Sequence, residues 1–173
     1  MLKQKEKILV LGLGNPILSD DGVGIYAVRQ ASSLFIHPQV EYQESSLAGF
    51  GFIDTITGFE KVIIVDSINW QKNPPGTISV IKTKDLTNHP YLRNFHNLSL
   101  SGTLALADQL GIPRPKEISI FAVEVQDYST FSEKCTPEVE ASIPKVVQMI
   151  IEQVKSWLSI DEEIYIEGKV KNV

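Results

Sequence analysis

The sequence predicts a single α/β domain: a central twisted sheet, mainly parallel or mixed, with helices on both faces. Three observations carry that prediction. The segments Ile8–Leu11, Lys61–Val65 and Ile118–Val123 are near-continuous apolar runs of the kind found in strands buried on both faces. Segments with helical spacing alternate with them. A chain of 173 residues is most simply one core of ordinary size.

The first strand covers Ile8 to Gly12. A helix follows from about Gly22 to Leu34, with Val23, Tyr26, Ala27, Gln30 and Leu34 at near-helical spacing. Val40 to Glu44 alternates and reads as a second strand. Phe52 to Thr57 is a short helix stopped by Gly58. The clearest strand, Lys61 to Val65, ends at Asp66-Ser67. Asn73-Pro74-Pro75-Gly76 is a turn into an alternating strand, Thr77 to Lys82. The segment 84–95 is polar and irregular. Leu98 to Leu110 reads as a helix stopped by Gly111, and Ile118 to Val123 as a further buried strand. After the polar loop Gln126 to Lys134, Thr136-Pro137-Glu138 has the form of a helix start, with Thr as N-cap and Pro at the first position. One apolar stripe then runs through Ile143, Val146, Val147, Ile150, Ile151, Val154, Trp157 and Leu158, with Pro144 expected to bend the helix. The domain is expected to span 1–158, with 159–173 as an exposed tail.

Composition narrows the function classes. Charged residues make up 21% and the formal net charge is -5, without a Lys/Arg cluster, which argues against a general nucleic-acid binder. No apolar run approaches the roughly 18 residues of a membrane span. The charged start, MLKQKEK, leads straight into a strand and lacks a signal-peptide cleavage site. The single cysteine, Cys135, has no internal partner, and a cytoplasmic protein is expected.

The chemistry gathers at strand ends. Gly12-Leu13-Gly14-Asn15-Pro16-Ile17 has a superficial likeness to a dinucleotide fingerprint, but Ile17 stands where the third glycine belongs and Pro16 conflicts with a helix starting there. The turn is better suited to bringing Asn15 and the acids Asp20 and Asp21 back over the sheet edge. Asp66 closes the clearest strand. Carboxylates at two adjacent strand ends repel each other unless a cation or a positive partner lies between them. Of the three histidines, His37 and His89 each precede a proline in a connection, whereas His96 stands just before the helix Leu98 to Leu110. Two carboxylates and an imidazole suit a borderline divalent metal such as zinc or nickel. Cys135 has no local histidine to activate it. Ser45, Ser46 and Ser67 lack the setting of a nucleophile elbow.

These segments resemble those of the hydrogenase maturation endopeptidases. Gly12-Leu13-Gly14-Asn15 followed by Ser19-Asp20-Asp21-Gly22-Val23-Gly24 resembles that family's opening signature, and the likeness continues to about Leu158. It includes Val62-Ile63-Ile64-Val65-Asp66-Ser67, Pro75-Gly76-Thr77, His96-Asn97-Leu98-Ser99-Leu100 and Thr136-Pro137-Glu138-Val139-Glu140. One departure is the turn Ser45-Ser46-Leu47-Ala48-Gly49, where relatives often have glycines and Thr. The resemblance implies an α/β fold and removal of a C-terminal extension from a nickel–iron hydrogenase large-subunit precursor after nickel insertion. It implies Asp21, Asp66 and His96 as the catalytic and nickel-engaging residues, with Asp20 and Asn15 supporting. Nickel would be the recognition element, supplied by the precursor rather than held permanently. A second reading from another class is a non-cleaving, nickel-dependent checkpoint protein of hydrogenase assembly. A small nucleotide-binding protein is a third, weaker one.

Overall fold

A computed structural model describes residues 6–46, 51–82 and 107–160. The irregular segment 84–95, His89, His96, most of the helix expected from Leu98 and the tail from 161 lie outside the described residues.

Among the described residues five strands form one mixed sheet. In chain order the elements are β1 (Ile8–Leu13), a 3-10 turn (Ser19–Gly22), α1 (Val23–Leu34), β2 (Val40–Ser45), α2 (Gly51–Ile56), β3 (Lys61–Ile68), β4 (Ile78–Lys82), β5 (Glu117–Glu124), α3 (Pro137–Glu140) and α4 (Ile143–Leu158). The strand order is β2-β1-β3-β5-β4. β1 runs parallel to β2 and β3, with Ile8 opposite Val40 and Lys61. β3 runs parallel to β5, and β4 closes the far edge antiparallel to β5. The three apolar runs are the three central strands, as strands covered on both faces should be.

Each sheet face carries its own core. On one, Val10, Ile63, Val65, Phe121 and Val123 pack with Val23, Ala27 and Val28 of α1 and with Val146, Val147, Ile150 and Val154 of α4. On the other, Leu9, Leu11, Ile64, Ile120 and Ala122 pack with Ile56 of α2. Among the described residues, no helix is long and apolar enough to cross a membrane.

Three sequence expectations need correction. The buried face of α1 is Val23, Gly24, Ile25, Ala27, Val28 and Ala31, while Gln30 and Leu34 are exposed. Small residues win that face because the helix lies almost on the sheet backbone: a Cβ on Gly24 would come within 2.3 Å of the Val65 carbonyl oxygen and 2.5 Å of that of Leu13. The last helix is broken rather than bent. α3 ends at Glu140 and α4 begins at Ile143, so Pro144 stands in the first turn of a new helix, where its missing N–H costs nothing. β3 also runs past Asp66 to Ile68, because its pairing with β5 continues to Ile68 opposite Glu124.

The chain leaves β1 through α1 to reach β2 on one side, then returns to β3 on the other. The crevice at the carboxyl ends of β1 and β3 is therefore the switch point of the sheet, where ligands of such folds bind.

Candidate active site

The turn after β1 is built to fold back on itself. Gly14 has φ +127, a conformation open to glycine, and a Cβ there would stand 1.8 Å from the Asp21 carbonyl oxygen. The chain passes Asn15 and Pro16 and enters the 3-10 turn that carries both acids.

Adjacent in sequence, the two acids have separate surroundings. Asp20 is fully buried. Its Oδ1 accepts the Thr136 N–H at 2.6 Å, and its Oδ2 accepts the N–H groups of Asp127 (3.0 Å) and Gln126 (3.2 Å) and the Thr136 hydroxyl (3.0 Å). Its own N–H donates to the Asp127 carbonyl at 2.9 Å. Thr136, expected to cap the last helix with its side chain, instead gives its hydroxyl to Asp20. Asp20 thus fastens the turn to the loop after β5 and to the start of α3.

Asp21 is only partly buried and lies at the sheet edge. Its Oδ2 accepts the Asn15 N–H at 2.8 Å and its Oδ1 accepts the Ser67 hydroxyl at 2.8 Å. The N–H of Ser67 donates to Oδ1 of Asp66 at 2.9 Å. One serine therefore ties the acid after β1 to the acid within β3. Asp66 is buried on the α2 face of the sheet, in alternation with Ile64 and Ile68. The structure brings Asp21, Asp66 and Asn15 to one edge. His96 lies outside the described residues, and among those residues no group of three His, Cys, Asp or Glu side chains could hold a metal ion.

Beside Asp21 is a cleft of about 200 Å³, lined by Leu13, Gly14, Asn15, Leu18, Asp21, Ser45 and Ser46. Among the described residues each Asp21 oxygen has one donor, and a carboxylate offers about four acceptor positions, which leaves capacity for a cation there. Burial, with the charges of Asp20 and Glu140 adding, pushes the Cys135 thiol up to about 12, which disfavours the thiolate a nucleophile needs.

Two residues of this region escaped the sequence reading. Ser67 lacks the setting of a nucleophile and serves as a bridge instead. Its position directly after a strand-end acid is the one signal for its bridging role. The second is Glu124, buried at the end of β5 on the same sheet face as Asp66. Its Oε1 accepts the N–H groups of Trp70 (2.7 Å) and Gln71 (3.0 Å), which fixes the loop after β3. Its Oε2 has no hydrogen-bond partner among the described residues.

Comparison with known proteins bears on the family and the fold. Residues 30–153 match the family described as hydrogenase maturation protease. The hydrogenase 2 maturation protease of Escherichia coli (strain K12) is 30% identical over 151 residues, covering 84% of this chain and 88% of that protein. The solved structure of the hydrogenase maturating endopeptidase HybD from E. coli superposes with a TM-score of 0.74 at 26% identity, covering 87% of this chain and 93% of the other. The NiFe hydrogenase maturation protease HycI from Thermococcus kodakarensis KOD1 shares the fold, with a TM-score of 0.65 at 19% identity over 88% of this chain and 95% of its own. The chain belongs to the hydrogenase maturation protease family and is an endopeptidase of hydrogenase maturation.

Proposed function

We propose that this endopeptidase removes the C-terminal extension of a nickel–iron hydrogenase large-subunit precursor, and that it recognises the nickel already inserted there through Asp21, Asp66 and His96. The observation that carries the reading is the Ser67 bridge, whose hydroxyl holds Asp21 while its N–H holds Asp66. Two carboxylates fastened at one switch point favour a divalent cation between them. A nitrogen ligand from His96 would complete a donor set suited to nickel. The Asn15 N–H orients Asp21 from the other side. Asp20 has its oxygens committed to the loop after β5 and supports the turn structurally. The reaction is peptide hydrolysis: a water oxygen joins the carbonyl carbon, the C–N bond breaks, and the proton passes to the leaving amine. The metal belongs to the substrate in this scheme. The free thiol of Cys135 fits action in the cytoplasm, where thiols stay reduced.

The test is to incubate the protein with nickel-loaded and nickel-free precursor and weigh the product's C-terminus by mass spectrometry. Truncation of the loaded form alone is the expected result. Equal truncation of both would overturn nickel recognition, and truncation of neither would overturn the precursor as substrate.

A further inference from the structure

Next to the acid edge, the loop after β5 presents large apolar side chains to solvent. Phe131 is 82% exposed and Tyr128 54%, and Ile17, in the turn before the acids, is 46% exposed. They are not scattered. Leu18 and Ser132 form a parallel β-bridge, the Ser132 N–H donates to the Ile17 carbonyl at 3.0 Å, and the Ser19 N–H donates to the Ser132 carbonyl at 2.9 Å. That pairing places Ile17 and Phe131 side by side on two joined segments. Tyr128 follows Asp127, whose N–H and carbonyl are both bonded to Asp20.

The loop is well fastened for one so exposed. Asp127 Oδ1 accepts the N–H groups of Thr130 (3.0 Å) and Ser129 (3.2 Å). Those amides, with the Thr130 hydroxyl, hold the Asp127 carboxyl below its usual value, so it remains charged. The Ser132 hydroxyl donates to the Lys134 carbonyl at 2.8 Å, and the Lys134 N–H donates back to that hydroxyl at 3.1 Å. A pre-ordered loop holding out aromatic side chains loses little entropy when it is covered, which is how interface anchors act. Covering the two rings would remove on the order of 200–300 Å² from water.

We propose that Ile17, Tyr128 and Phe131 form the docking surface for the folded body of the large-subunit precursor, separate from the segment that is cut. This rests on the function proposed above. The occupant follows from continuity: Ile17 is two residues from Asn15, whose N–H holds Asp21, so a protein seated on the patch lies against the acid edge. The flanking charge is acidic, Asp127 and Glu133 against Lys134, so the matching surface is apolar with a basic margin.

The experiment measures the dissociation constant for nickel-loaded precursor, and KM and kcat for its processing. The proteins are wild type, Phe131→Ser, the double variant Tyr128→Ser/Phe131→Ser, and Phe131→Leu. The serine variants should bind about ten-fold or more weakly and raise KM, with kcat at saturation and melting temperature unchanged. Phe131→Leu should recover most of the loss. Wild-type binding and cutting with unaltered affinity in the serine variants would overturn the docking surface and leave the function standing. If wild type neither binds nor cuts, the function falls and the occupant with it. A wild-type dimer that Phe131→Ser converts to monomer would reassign the patch to self-association and overturn the proposal.

Discussion

Asp20 and Asp21 share a peptide bond and almost nothing else. Around Asp20 the protein is closed: the side chain is out of reach of water, and three N–H groups and a hydroxyl converge on it from residues 126, 127 and 136. Around Asp21 the protein is open: one amide and one hydroxyl steady the carboxylate at the lip of a cleft. The difference lies in how many donors converge on each carboxylate and how deeply each is buried. Backbone amides and a neighbouring hydroxyl use up one acid in holding the fold. The other acid keeps lone pairs facing a space a ligand can enter.

That contrast is broken most sharply by exchanging the two losses. Asp21→Asn should lower processing by about a thousand-fold, the upper end of the loss when one transition-state-stabilising group is removed, with little change in urea midpoint. Asp20→Ala should do the opposite. It strands several buried donors of a charged acceptor and should cost about 3–4 kcal/mol in urea unfolding, while the folded fraction retains activity. If Asp20→Ala proved as stable as wild type, the anchor assignment would fall.

Smaller effects sharpen the comparison. Ser67→Ala removes the donor to Asp21 and leaves the backbone N–H to Asp66 in place. It should cost about 1 kcal/mol of stability and about ten-fold in activity, read by urea melts and processing rates on the same preparation. Glu124→Leu, which leaves the Trp70 and Gln71 amides unpaired, should destabilise by about 2 kcal/mol, whereas Glu124→Gln retains an acceptor and should cost less than about half of that. The smallest effect concerns Cys135. With its thiol pushed up to about 12 from an ordinary 9.0, the native protein at pH 8 should resist iodoacetamide, and the urea-unfolded protein should react readily. The linkage has the same sign. As pH rises above about 9, the unfolded chain releases the Cys135 proton while the folded chain retains it, so stability falls.

The frame of the fold was legible because its signals are local. The three central strands are continuous apolar runs, and the stripe from Ile143 to Val154 is the buried face of α4. The misses depend on partners distant in sequence. Small residues were not expected to outrank Tyr26 and Leu34 on α1, since only the sheet backbone beneath Gly24 makes bulk costly there. β3 was expected to stop before Asp66, because its last bonds depend on Glu124, more than fifty residues away. The same holds for the site. Asp21 was legible as an acid just beyond β1, Asp66 as an acid near the end of β3, and Asn15 as part of the turn that leads to Asp21. The separation of Asp20 from Asp21 was not, because Thr136, which supplies two of the donors to Asp20, lies 116 residues further along the chain.

The contact between α1 and the sheet has a consequence for motion. Gly12 and Gly24 meet with main chain against main chain, and a Cβ on Gly12 would come within 2.6 Å of the Gly24 carbonyl oxygen. At that crossing no side chain stands between the helix and the strand to act as a cushion. A shift of α1 would therefore be passed directly to the turn that carries Asp21. The amides of β1, a strand paired on both sides, should exchange with deuterium only through global unfolding. The acid edge is in this sense clamped, and beside it the loop that Asp20 fastens offers a partner a surface already in place.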